Sequence, residues 1–215
     1  MDTFLEVSYS ACLLLSIILA VTNRKALKSR QLFFFIPYLC LVLAQELVLA
    51  YIYTVGPTGM IYNFYRLITT IVFTLFFYFI PVNTPSRRII AWLLGLYLAV
   101  WAITFGLLHS VSQYNSYLSM GGGLVITASA LLFLLNYFNL DNRREEKNWL
   151  PVVWVTIGMI VYFPVVNVAL TLYKYIYAYQ ATIFDMLLYN AIPQLMSIFM
   201  YSCFTYAFYL CQKKN

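Results

Sequence analysis

Glu46 and Arg66 are the two ionisable side chains set well inside long apolar runs, where a charge costs about 2.5 to 3.5 kcal/mol unless it is paired or hydrated. Counted at the helical rise, Glu46 lies about 10 Å before the end of its run near Tyr53, and Arg66 about 8 Å after the start of the next. The turn Gly56-Pro57-Thr58-Gly59 joins the two runs as antiparallel neighbours, so acid and base fall at matching depth and are expected to form an ion pair. Such a pair can be a clamp that neutralises both charges for insertion, or a ligand- or proton-coupled site. Both readings require contact. Asn63 and Tyr65 beside Arg66, His109 and Asn115, Asn167, and Asp185 and Asn190 collect in the same half of their runs, which suggests a polar pocket opening to one side. Single Asn residues in membrane helices also serve as hydrogen-bonding glue, and a histidine in a loop is commonly an exposed interfacial residue.

Several enzyme chemistries lack their parts. His109 is the single histidine and there is no His-Glu-x-x-His run, so zinc hydrolysis has no ligand set and no metal or cofactor is expected. Cys12, Cys40, Cys203 and Cys211 form no Cys-x-x-Cys pair and read as packing residues. No lysine lies between Ile183 and Leu210, which removes the amine for a retinal Schiff base in the last helix. A triad drawn from Ser119, His109 and Asp185 would join unlinked loops, and no catalytic residue is assigned.

The elements that position these groups follow from composition. Of 215 residues, 63% are apolar and 9% charged, which excludes a soluble globule and leaves almost nothing for an aqueous domain. Runs near 5–22, 32–53, 61–80, 89–108, 117–138, 150–173 and 183–210 predict an all-α, polytopic seven-helix bundle occupying residues 1–215 as one domain. Arg24, Lys25, Lys28, Arg30, Arg87, Arg88, Arg143, Arg144, Lys147, Lys213 and Lys214 fall on alternate connections, hence on one side. Because Lys and Arg are held on the cytoplasmic side, the N-terminus is expected outside and the C-terminus inside, the parity that seven spans give. The net charge of +6 is thereby a property of topology, and nucleic acid is not expected as a partner. The leading residues of the first segment carry Asp2 and Glu6 instead of a basic region and it has no small-x-small site, so it is expected to remain as a helix and not as a cleaved signal.

Ten tyrosines, Tyr51, Tyr53, Tyr62, Tyr65, Tyr114, Tyr117, Tyr173, Tyr175, Tyr177 and Tyr179, flank the connections assigned to the outside and suit an interfacial belt. Those turned inward would line the mouth of the pocket. Pro37, Pro164 and Pro193 are expected to interrupt their helices, and Gly121-Gly122-Gly123 to loosen another. At one constant offset Tyr51-Ile52-Tyr53 echoes Tyr175-Ile176-Tyr177, and Tyr65-Arg66 echoes Tyr189-Asn190, the pattern of a 3+1+3 repeat known from small-solute carriers.

The run Asn63-Phe64-Tyr65-Arg66, the aromatic helix end Phe76-Phe77-Tyr78-Phe79, the start Asn115-Ser116-Tyr117 and the terminal Phe208-Tyr209-Leu210-Cys211-Gln212-Lys213-Lys214 resemble a group of uncharacterised seven-helix integral membrane proteins of Bacteroidota. That group is similar to the membrane sensor portion of bacterial seven-helix histidine kinases. The resemblance implies a multi-pass protein of the bacterial cytoplasmic (inner) membrane, receptor-like or accessory, with a membrane or cytoplasmic signalling partner and a small extracytoplasmic ligand. A small-solute transporter and an intramembrane lipid-modifying enzyme are the alternatives, and fold alone does not choose among them.

Overall fold

A computed structural model describes residues 2–52, 59–80, 83–108, 112–139, 146–172, 176, 179–180, 182–183, 186–212, and nothing further is said of the others. These residues are almost wholly helical: α1 (Asp2–Thr22), α2 (Arg24–Ser29), α3 (Phe35–Ile52), α4 (Gly59–Phe79), α5 (Thr84–Ile103), α6 (Ser116–Asn139), α7 (Glu146–Thr171) and α8 (Leu188–Gln212). A helix therefore stands at each long apolar run, because a backbone surrounded by hydrocarbon must satisfy its own N–H and C=O groups. Among the described residues, five segments are long and apolar enough to cross a bilayer: Phe4–Thr22, Gly59–Phe79, Thr84–Leu107, Ser116–Phe138 and Trp149–Thr171. The exterior supports the same conclusion. Along α5, Ile89, Trp92, Leu96, Val100 and Ile103 are exposed, Trp92 to 78%, a continuous apolar surface that water would not tolerate. The chain is an integral membrane protein whose apolar helices contact lipid.

Local chemistry moves several boundaries from their expected places. α5 begins at Thr84, not 89, because Asn83 Oδ1 accepts the Ser86 N–H at 3.0 Å and Pro85 sits in the first turn, where its missing donor is harmless. Beyond Ile103 the helix continues as a π-helical turn, Thr104–Leu108. The basic connector after α1 folds as the short α2 instead of a plain loop, and a 3-10 turn, Leu32–Phe34, leads into α3. Between them Gln31 takes a left-handed conformation at φ 60°. Pro37 does not interrupt its helix, since it lies in the first turn of α3. Pro164 and Pro193 lie inside α7 and α8, yet neither interrupts its helix, which runs on unbroken through the proline. The last helix starts at Leu188, not 183. Thr182 and Ile183, both β-branched, pair instead with Leu187 and Met186 in a two-residue antiparallel ladder, β1 (Thr182–Ile183) with β2 (Met186–Leu187).

The chain divides into two compact units, residues 1–39 with 140–215, and residues 40–139. In the first, α8 packs along α7 and α1. Gly158 permits the α7 contact: a Cβ there would stand 3.0 Å from Cys203 Cβ and 3.4 Å from the Met200 carbonyl. Phe35 packs edge-on against Phe204, with ring centroids 5.1 Å apart, and against Phe208 at 6.2 Å. Ser16, fully buried on α1, lies 2.9 Å from the Cys12 carbonyl, 3.0 Å from the Tyr201 carbonyl and 2.7 Å from Thr205 Oγ1. Its one proton serves the carbonyls, and the Thr205 O–H supplies the third bond.

In the second unit α4, α5 and α6 pack on one another around Phe73, Phe76, Phe77, Tyr97, Ile126 and Phe133. Phe77 meets Phe76 at 5.1 Å and Phe133 at 6.1 Å between centroids. The glycine triplet does not break α6, which is helical throughout. Gly122 is instead a point of close approach, where an added Cβ would collide with Thr70 Oγ1 and stand 3.1 Å from Tyr97 Oη. Near the other end of α6, Asn136 Nδ2 donates to Ser86 Oγ at 2.8 Å and to the Leu132 carbonyl at 2.6 Å, joining α6 to α5.

Candidate functional site

The first turns of α4 meet the segment that leads into α6. Gly59 lies so close to that segment that a Cβ would collide with the Ser112 carbonyl and come within 2.7 Å of the Tyr114 nitrogen. One turn on, the buried Asn63 uses both ends of its amide. Nδ2 donates to the Gln113 carbonyl at 2.8 Å, and Oδ1 accepts the Asn115 N–H at 3.1 Å. Asn115 in turn caps α6, its Oδ1 accepting the Leu118 N–H at 3.2 Å. The sequence places Asn63 and Asn115 in one pocket, and the structure brings them into direct contact. Their side chains hold backbone together. A shallow cavity of about 210 Å³ lies beside this tie, lined by Gln113 to Tyr117. Tyr114, part of that lining, meets Tyr62 edge-on at 6.0 Å between centroids, and Tyr117 stands 85% exposed, as an interfacial residue would.

Arg66 sits one turn below Asn63, half-buried, within electrostatic reach of the Tyr97 phenol. Its carbonyl accepts the Thr70 hydroxyl at 2.8 Å. Tyr65 is half-buried beside it. Glu46 is exposed near the end of α3, with Leu47 and Val48 exposed after it. It stands six residues, about 9 Å, before Ile52, while Arg66 stands seven residues, about 10 Å, after Gly59.

The sequence reading missed a set of hydroxyls. Thr69 Oγ1 and Thr74 Oγ1 on α4 and Ser119 Oγ on α6 are buried without a hydrogen-bond partner among the described residues. Tyr97 Oη on α5 also lacks a well-aligned hydrogen bond, although Thr70 Oγ1 stands beside it. Threonines inside helices ordinarily return their hydroxyl to the carbonyl four residues back, as Thr70, Thr127 and Thr156 do here. Unsatisfied hydroxyls in a dry interior cost about 1–3 kcal/mol each, so they mark where water or a polar ligand gains most by entering. The available signal was the repetition of Thr and Tyr among apolar neighbours, which hydropathy counts as nearly apolar.

Of the remaining pocket candidates, Asn167 is buried on α7 of the first unit, with its carbonyl accepting the Thr171 hydroxyl at 2.8 Å. Asn190 is exposed in the first turn of α8, also in the first unit. His109 and Asp185 lie outside the described residues. The chain matches no family model, no curated protein and no solved structure.

Proposed function

We propose that this chain is a receptor-like or accessory membrane module, with seven spans, its N-terminus outside and its C-terminus in the cytoplasm of a bacterial cell. It takes a small extracytoplasmic ligand beside Asn63 and Arg66 and passes a helix rearrangement to a membrane or cytoplasmic partner. The resemblance to the membrane portion of seven-helix sensor kinases belongs to the same proposal. The observation that carries it is the Asn63 tie. Two part-buried hydrogen bonds fasten α4 to the head of α6 next to an open cavity, so a ligand bound there acts on the joint between two helices. The unsatisfied hydroxyls of Thr69, Thr74 and Ser119 supply a polar interior along the same two helices.

The test is purification of the full chain with whatever partner it holds, comparing wild type with a folded Asn63→Asp variant. A partner retained by the wild type and lost by the variant supports the module. Solute uptake into vesicles carrying the purified protein, abolished by Glu46→Gln, would replace it by the carrier reading. Release of a modified lipid from the bilayer would replace it by the enzyme reading.

A further inference from the structure

At the end of α4 remote from Asn63, an apolar groove of about 250 Å³ runs between α4 and α5. Leu75 and Tyr78 form one wall, and Ala91, Leu94, Gly95 and Leu98 the other. Gly95 keeps it open, since a Cβ at that position would meet no atom within 4 Å. The groove lies within two spans, so its surroundings are acyl chains. Its mouth is basic. Arg87 and Arg88 stand four and three residues before Ala91 on the same face of α5, where helical neighbours touch. Arg87 Nη2 reaches across to the Ile80 carbonyl just after α4, at 3.4 Å, which fixes the guanidinium between the two helices. Its Nε is buried and has no partner among the described residues, and Arg88 is exposed.

We infer that this groove is a binding site for one anionic phospholipid of the surrounding bilayer, its phosphate on Arg87 and Arg88 and an acyl chain along Ala91, Gly95 and Leu98. The charge is complementary, and an arginine held at a span end beside an open apolar slot meets both parts of such a molecule. A zwitterionic lipid would fill the slot equally well but gain less from the two arginines. The site is separate from the Asn63 cavity and does not depend on the function proposed above.

The experiment uses the full chain in detergent, titrated with phosphatidylglycerol or with phosphatidylcholine of identical acyl chains, and counts bound lipid by native mass spectrometry. Phosphatidylglycerol should be retained in several-fold preference. Arg87→Gln and Arg88→Gln should each weaken it about fivefold, the ratio given by about 1 kcal/mol per basic residue. Gly95→Leu, which fills open space, should lower retention of both lipids. Equal retention of the two lipids by the wild type would overturn the site without recourse to any variant. So would an undiminished preference after both arginines are changed, or full retention in Gly95→Leu. Displacement of the lipid by inorganic phosphate alone would show that the arginines bind the anion and not a lipid.

Discussion

The side chain of Asn63, one turn inside α4, accepts a 3.1 Å hydrogen bond from the backbone N–H of Asn115 at the head of α6, and so joins residues far apart in the chain. Its Nδ2 simultaneously holds the Gln113 carbonyl. Asn63→Ala removes both part-buried hydrogen bonds and should cost about 0.5–1.5 kcal/mol for each. Asn63→Asp keeps the acceptor, loses the donor and should fall between Ala and wild type. Thermal unfolding in detergent orders the three; an alanine variant as stable as wild type would mean that the tie contributes nothing.

Gly122 and Gly95 should respond oppositely to the same change. A Cβ at Gly122 collides with Thr70 and crowds Tyr97, so Gly122→Ala forces α4 and α5 away from α6 and should destabilise by about 1–3 kcal/mol. Gly95→Ala meets open space on an exposed helix face, and should be neutral or stabilising by up to about 1 kcal/mol. Equal unfolding temperatures for the two variants would contradict the packing described around Gly122.

The clasp at Ser16 offers a further measurement. Ser16→Ala removes its contacts with the Tyr201 carbonyl and Thr205 Oγ1, and hydrogen bonds between membrane helices average about 0.6 and reach about 1.7 kcal/mol. The loss should lie in that range. In Thr205→Ala the effect of Ser16→Ala should shrink, as a double-mutant cycle on unfolding would show.

If Glu46 and Arg66 form the pair that their depths suggest, Glu46→Ala should lower stability by up to about 2.5–3.5 kcal/mol by leaving Arg66 uncompensated in its span. Glu46→Ala combined with Arg66→Ala should then recover much of the loss. Additive effects in that cycle would show that the two side chains do not interact.

The orientation proposed above places the N-terminus outside and the basic connection containing Arg24, Lys25, Lys28 and Arg30 inside. Protease or reporter tags at the two ends of the chain should therefore report opposite compartments. Tags found on one side would remove the seven-span count, and with it the placement of the Asn63 cavity at the outer surface.

The positions of the helices could be read from the sequence because one physical constraint fixes them: an apolar stretch as long as a bilayer is thick must satisfy its own backbone bonds, and a helix does so locally. Glu46, Arg66 and Asn63 were legible as candidates for the same reason, since a polar group inside such a stretch is costly. Which faces of α3, α6 and α7 turn inward was not legible, because helices apolar on every side carry little amphipathic period to orient them. Only the packed structure brings Asn63 to Gln113 and Asn115, sets Ser16 against Tyr201 and Thr205, leaves Thr69, Thr74 and Ser119 without partners among the described residues, and opens the slot at Gly95. Those relations depend on the rotation and spacing of helices distant in the chain, which side-chain volumes decide and hydropathy does not record.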